Sequence, residues 1–428
     1  MIQIGANADF QNLGLSAPPW FVGGIVSITK NSLSLRESEI SSPLGSDLPL
    51  VHQTGGIIRF SDVKIEGKPR SAPLIVSEGG TLELSSCVIQ GSDVQGDATL
   101  ILFDGTERAE VVDCQITPGN GKKTAAIVAR ETSLVVRRSG IGTGVGRTRS
   151  AGIQLYYSDA VVDESMIWAD PGAWIATCIE AEFSRIEISE STLEAAGNRG
   201  AMAIFGSGTS FQVSGNLIRS QPTREFLFLF QLQESEGLFT NNMLTGNRSI
   251  DYIGIDLTSS RTRWIGNTMV HGSGNEVSTG VRMAETPQTL LVNNILAISQ
   301  DEEGLYSSTK ALVVSDEDSR FTILNNNFDG WDEVFVSPFA TALSPQGTND
   351  LNIQSIGGNI GEGIDRSFRT SSSNIYLLSP DSECIDAGFD LSLLGEDLRR
   401  DYEGEVRPVA IVGPSRAYDI GADEYQSR

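Results

Sequence analysis

Phe321 to Gly330 reads FTILNNNFDG, three asparagines set between apolar strand formers. Asparagine has poor helix and strand propensity. A chance loop would show such a run once, whereas a corner in a repeating unit would show the polar interruption at a fixed distance. It recurs. The unit is apolar, x, apolar, x, x, small-or-Asn, x, apolar, and its first copy is LSLRESEI from Leu33. Eleven more begin at Ile58, Leu82, Ala109, Leu134, Ala160, Ile186, Phe211, Gly237, Thr262, Thr289 and Phe321. The steps are 25, 24, 27, 25, 26, 26, 25, 26, 25, 27 and 32 residues, the steady period of a solenoid.

The third position of the unit is apolar in every copy, from Leu35 to Ile323, and so is the last, from Ile40 to Phe328. Both columns must be buried. Between them the interruption reads Ser, Val, Cys, Cys, Ser, Ser, Ser and then Asn216, Asn242, Asn267, Asn294 and Asn326. In a coil of parallel strands successive turns lie about 4.8 Å apart, so these asparagines stack and each amide bonds its neighbours. Asparagine also tolerates the left-handed backbone of a tight corner. A second apolar strand lies upstream in most units, as in AIVA at Ala126 and CIEA at Cys178. About 25 residues at roughly 3.3 Å each give a contour near 80 Å, enough for one turn around a filled interior.

The leucine-rich repeat shares this period and the L-x-L-x-x-N-x-L core. It wants a further leucine three residues earlier, where this chain has Lys30, Gly55, Gly79 and Thr106, and no amphipathic stretch separates the strands. The reading is therefore all-β: a single-stranded right-handed parallel β-helix of about twelve rungs. Residues 25–328 form the coil and residues 329–428 a non-repetitive cap that closes its open end. Residues 1–24 are a short N-terminal segment, compatible with a truncated cap.

SPDSECIDAG (Ser379 to Gly388), DYEGEVRP (Asp401 to Pro408) and YDIGADEY (Tyr418 to Tyr425) resemble the closing signature of bacterial right-handed β-helix surface proteins with a choice-of-anchor C-terminal region. That group is similar in fold to the pectate-lyase superfamily. The resemblance implies secretion or surface display and no single chemistry. Nothing apolar or sorting-like follows Tyr425, so the resemblance leaves the mode of attachment open.

Acidic residues exceed basic ones by 55 to 31, a formal charge of −24. This opposes nucleic acid and anionic membrane surfaces and suits a soluble, extracellular strand-rich protein. No stretch approaches the roughly 18 apolar residues of a membrane span, and MIQIGANADF lacks the pattern of a secretory signal, which fits either a cytoplasmic protein or a mature or truncated chain. The four cysteines have no zinc-site spacing. Cys87 and Cys114 share a column on neighbouring rungs, so either two buried thiols or a disulfide fits.

If the isoleucine columns face inward, alternate residues of the upstream strand form an exterior stripe. It runs through Gln154 and Tyr156, Glu180 and Glu182, Gln231 and Gln233, and Asp256 to Arg282, a shallow groove suited to a polysaccharide or another surface ligand. Trp168 and Trp174, in IWADPGAW, belong to a loop that overhangs this face and stacks on a sugar, or else anchors itself to the coil. Glu180 and Glu182 stand roughly 7 Å apart on one strand face, within the span of a glycosidase carboxyl pair. Asp256 is a third catalytic candidate on the same face. The competing reading is that these residues are polar because water lies outside. His52 and His271 read as exposed turn histidines. Asp401, Glu403 and Glu405 offer oxygen donors for calcium or form an ordinary turn, and no other cofactor is implied. The functional expectation is a monomeric surface protein that binds carbohydrate. The alternatives are a glycoside hydrolase or polysaccharide lyase, and a phage-type tailspike, which would need a trimer, or a purely structural adhesin.

Overall fold

The computed structural model describes residues 2–3, 7–16, 25–46, 48–69, 72–271, 274–298, 308–351, 356–361, 368–370, 376–391, 400–402, 407 and 418–422. They divide into two compact units, Met1–Thr209 and Ser210–Arg428. In each, the chain winds through three sheets whose strands pair in parallel with their equivalents on neighbouring turns, the hairpin Glu333–Val336 with Thr341–Ala342 and the pair Phe368–Thr370 with Tyr376–Leu378 being antiparallel. In the first unit the first sheet runs from Ile2–Gln3 to Gly200–Ser207, the second from Ala8–Gln11 to Arg185–Ser189, and the third from Gly14–Ser16 to Thr192–Ala195. The second unit repeats the plan from Phe226–Gln233, Ser210–Ser214 and Leu217–Ser220. The fold is an all-β right-handed parallel β-helix, with the hand that parallel crossovers take. Pro345–Asn349 is the one α-helix among the described residues, which leaves no place for a leucine-rich horseshoe.

Both apolar columns are in register and interior. Leu35 pairs with Phe60 and Phe60 with Leu84; Ile116 pairs with Ile141 and Ile141 with Ile167. In the second unit Phe239 lies over Trp264 with ring centroids 3.9 Å apart and 5° between planes. The coil is one turn longer at each end than the 25–328 expected. Ala8 pairs with Leu33 and Phe10 with Leu35, while Ile356 pairs with Ile323. The last turn is masked in the sequence because the hairpin Glu333–Val336 with Thr341–Ala342 and the helix Pro345–Asn349 are inserted before it.

The asparagines form the expected ladder. The backbone N–H and Nδ2 of Asn242 both donate to Asn267 Oδ1, at 3.0 and 2.9 Å, and Asn267 repeats this to Asn294 at 3.0 Å each. Asn294 does so to Asn326, and Asn216 to Asn242. Asn359, 33 residues after Asn326, is a further member that the period alone does not reveal, and Asn349 caps it. The left-handed residue, however, is the one before the ladder: φ is 53° at Asn241, 55° at Asn293 and 49° at Asn325. The three asparagines of the opening stretch thus do different work. Asn325 turns the corner, Asn326 joins the ladder, and Asn327 starts the strand Asn327–Asp329.

In the first unit serines take over this corner, Ser139 N donating to Ser165 Oγ and Ser165 N to Ser191 Oγ. A second hydroxyl ladder holds the other corner, Thr132 N to Ser158 Oγ and Ser158 N to Ser184 Oγ. Cys87 and Cys114 are buried free thiols, as are Cys178 and Cys384; Cys87 N donates to Cys114 Sγ at 3.4 Å.

The described parts of the C-terminal signature run along the side of the second unit, where the sequence suggests a plug for its open end. Asn325 Nδ2 donates to Ala387 O, Asn293 Nδ2 to Phe389 O, and Asn241 Nδ2 to Arg400 O. Leu378, Cys384 and Ile420 pack on Val270, Ile295 and Ala297. His271 is fully buried in the strand Thr268–His271 between Tyr252 and Trp331, contrary to the exposed turn expected of it. His52 lies on a strand, half-exposed, 3.2 Å from Glu78. Asp401 is buried; Glu403 and Glu405, like residues 18–21, lie outside the described residues. No described helix is long and apolar enough to cross a membrane.

Candidate functional site on the first sheet

The first-sheet strands of the first unit break the in-out alternation once. Leu100 and Ile101 are both buried, as are Ala126 and Ile127, and Cys178 and Ile179. Gly152 sits at the same point, where a Cβ would come within 2.7 Å of Cys178 O and of the Ile167 side chain. Two consecutive inward residues bend each strand, and the outward residues flanking the bend face a concave elbow. These are Ala151 and Gln154 on one rung and Thr177 and Glu180 on the next.

The stripe read from the sequence is in register here. Gln154 pairs with Glu180 and Tyr156 with Glu182, and Glu180 pairs with Phe205 and Glu182 with Ser207. It is not uniformly exposed. Glu180 is only 3% exposed: Oε1 accepts from Arg149 Nη2 at 2.7 Å and Oε2 from Gln154 Nε2 at 2.9 Å. Its polarity is therefore that of a neutralised buried pair and not of a solvated surface. The bend lets Arg149, on the far arm, reach it. Arg149 Nε and Thr177 Oγ1 are buried in the same elbow with no hydrogen-bond partner among the described residues. Glu182 and Tyr156 are half-exposed. Burial, then the charges of Glu180 and Glu182, hold the Tyr156 phenol above its usual 10.0, and the Arg130 guanidinium lies 6.0 Å from its ring centre.

The two tryptophans part company. Trp168 is on the third-sheet strand Met166–Trp168, half-buried against Gly142, and does not overhang the face. Trp174 immediately precedes the strand Ile175–Glu182, is 45% exposed, and has Arg199 5.3 Å over its ring.

In the second unit Gln231 pairs with Asp256 and Asp256 with Arg282. Asp256 is 5% exposed and is gripped in two places by Arg282, Nε to Oδ1 at 2.7 Å and Nη2 to Oδ2 at 2.8 Å. Gln231 Nε2 stands 3.5 Å from Oδ2, and Gln233 is exposed. The hydrogen-bonded Asp256 carboxylate raises the Arg282 pKa in spite of burial, which acts to lower it. Among the described residues no cluster of three or more His, Cys, Asp or Glu is arranged around a common point for a metal.

A second signal in the sequence lies outside the stripe. Between Lys122 and Arg149 lie seven basic residues and one acidic residue, in a chain of net charge −24. Arg137 and Arg138 face Asp163 and Asp113 on the second sheet, and Arg149 holds Glu180. Lys122, Lys123, Arg130 and Arg147 are exposed and form no ion pair among the described residues. Lys123 pairs in register with Arg149, and Arg130 with Tyr156. Arg147 donates to Gln95 O, on the wall of a surface groove of about 540 Å³ lined by Lys68, Asp93, Val94, Gln95 and Gly96.

No family model matches the chain, and no curated protein matches it. Among solved structures it is similar to one described as the crystal structure of pectate lyase Pel9A, 11% identical, over 92% of this chain and 88% of that one, with a TM-score of 0.40.

Proposed function

We propose that the first unit binds an anionic polysaccharide on the outward face of its first sheet, without cleaving it. The observation that carries this reading is the group of exposed cations, Lys122, Lys123 and Arg130, that form no ion pair among the described residues, on a polar face of a chain that is otherwise strongly acidic. In such a chain, positive charge left without an ion-pair partner on this face attracts a polyanion there against the acidic background of the rest of the chain. Gln154, Tyr156 and Glu182 supply donors and acceptors for hydroxyl groups on the same face.

Binding is favoured over hydrolysis because both oxygens of Glu180 are engaged by Arg149 and Gln154. A carboxyl pair needs two groups able to exchange protons or attack, and here Glu182 stands alone. Display outside the cell and a monomeric state accompany this reading.

The test is titration of the full chain with polygalacturonate, alginate, a sulfated glycan and neutral dextran, followed by product analysis. Saturable binding to polyanions, weakening with salt, and unchanged polymer length are expected. Binding of dextran alone, or new reducing or unsaturated ends, would overturn it.

A further inference from the structure

Resting on that binding reading, we infer that the glycan lies across the coil axis, along the strand Ile175–Glu182, with different sugar rings stacked on Trp174 at one end and on the Tyr157–Phe183 pair at the other. Trp174 precedes this strand and Phe183 follows it. Phe183 is 53% exposed and Tyr157, at the same corner one turn earlier, 64%. Their rings stack with centroids 5.3 Å apart and 12° between planes. An eight-residue strand spans about 26 Å if straight, less after the bend, so the two platforms meet separate rings of one oligosaccharide. Between them lie the half-exposed Gln154 and Glu182 and, buried in the elbow beneath, Thr177 Oγ1 and Arg149 Nε, which have no hydrogen-bond partner among the described residues.

The stacking of the two rings contributes a modest stabilisation, which the strain of the corner they occupy offsets. Tyr157 and Phe183 have φ of 52° and 50°, a left-handed backbone that strains bulky residues and suits glycine or asparagine. The same corner holds Gly105, Glu131 and Gly208 on other turns of this unit. Gly208 leaves room for Phe183, since a Cβ there would come within 2.6 Å of the ring. Two large apolar rings, strained and left in water beside polar and charged groups, form the combination that holds a sugar: a flat face for its C–H side and partners for its hydroxyls.

The experiment measures affinity for galacturonate and alginate oligomers of increasing length in the wild type, Trp174→Ala, the double variant Tyr157→Asn/Phe183→Asn, and the control Met166→Ala, each with a thermal melt. Wild-type affinity is expected to rise with length and then level off once the strand is spanned. Trp174→Ala and the double variant should each lose roughly tenfold or more on long oligomers and nothing on the shortest. The double variant should melt at or above the wild type, because asparagine relieves the corner. Unchanged affinity in the aromatic variants, or a lowered melt with binding intact, would overturn the inference while leaving the binding reading standing. A wild type that binds no oligomer or polymer would overturn both.

Discussion

Arg149 Nη2 lies 2.7 Å from Glu180 Oε1, although Ser150, its neighbour, pairs with Ala176, four residues short of Glu180. Only the bend in the first-sheet strands folds one arm over the other enough for this contact. Arg149 keeps 41% of its side chain exposed and Glu180 only 4%, so the pair is unequal. Arg149→Met strands a buried carboxylate and should cost about 2–3 kcal/mol, below the range for a fully buried pair because solvent still reaches the arginine side. Glu180→Gln should cost less, and the double variant Arg149→Met/Glu180→Met should recover much of the loss. Urea unfolding of the four proteins checks the order.

The ladder sets a second scale. Removing the Asn267 amide leaves the backbone N–H and Nδ2 of Asn242 without their acceptor, and Phe239 O without its donor. Each unsatisfied buried group costs about 1–3 kcal/mol, so Asn267→Ala should lower stability by about 3 kcal/mol or more. Glu182→Ala should stay within about 0.5 kcal/mol. Denaturant midpoints at constant slope measure both.

Corner geometry predicts opposite signs at two neighbouring kinds of site. Gly266 has φ of 61°, and a Cβ there would lie 3.0 Å from Arg407 Nη1 and from Asn241 Oδ1. Gly266→Ala should therefore cost about 1–2 kcal/mol. Glu164 has φ of 46°, and Glu164→Asn should raise the melting temperature.

The buried thiols give a pH signature. Burial pushes the Cys178 thiol well above its usual 9.0. Hydrogen bonding to the Cys87 sulfur, then burial, do the same to Cys114, while the same hydrogen bond lowers Cys87, so Cys178 carries the clearer signal. The folded state keeps these protons while the unfolded chain loses them above about pH 9. The stabilisation from the neutral thiols is full below that pH and declines as pH rises. Stability should fall above about pH 9, and less steeply in Cys178→Ala. All four cysteines are free and buried, so a thiol reagent should label none in the native protein and four after unfolding.

Much of the coil was legible because inward columns repeat every 25 residues or so: Leu84, Val111 and Val136 could not all be apolar by accident. The asparagine ladder was legible for the same reason. The last turn was not, since the inserted hairpin and helix push Asn359 33 residues beyond Asn326. Nor was the burial of Glu180, because strict alternation marks it as outward and therefore wet, and only the paired inward residues Cys178 and Ile179 make the outward side concave. The burial of His271 is not legible because the glycines and serine that follow it suggest a turn after Met269, whereas the strand Thr268–His271 continues through it. The cations at Lys122, Lys123 and Arg130 were visible in the letters but hidden by averaging over an acidic chain.

Charge reversal on the first sheet tests the central claim most directly. Lys122→Glu/Lys123→Glu/Arg130→Glu removes the three exposed cations without touching the coil interior, so its melt should stay close to that of the wild type. Calorimetric titration with the best-bound polyanion at low salt should show affinity falling by roughly a hundredfold, and the wild type should lose most of that difference as salt rises. A variant that binds the same polyanion as tightly as the wild type at every salt concentration would contradict the account.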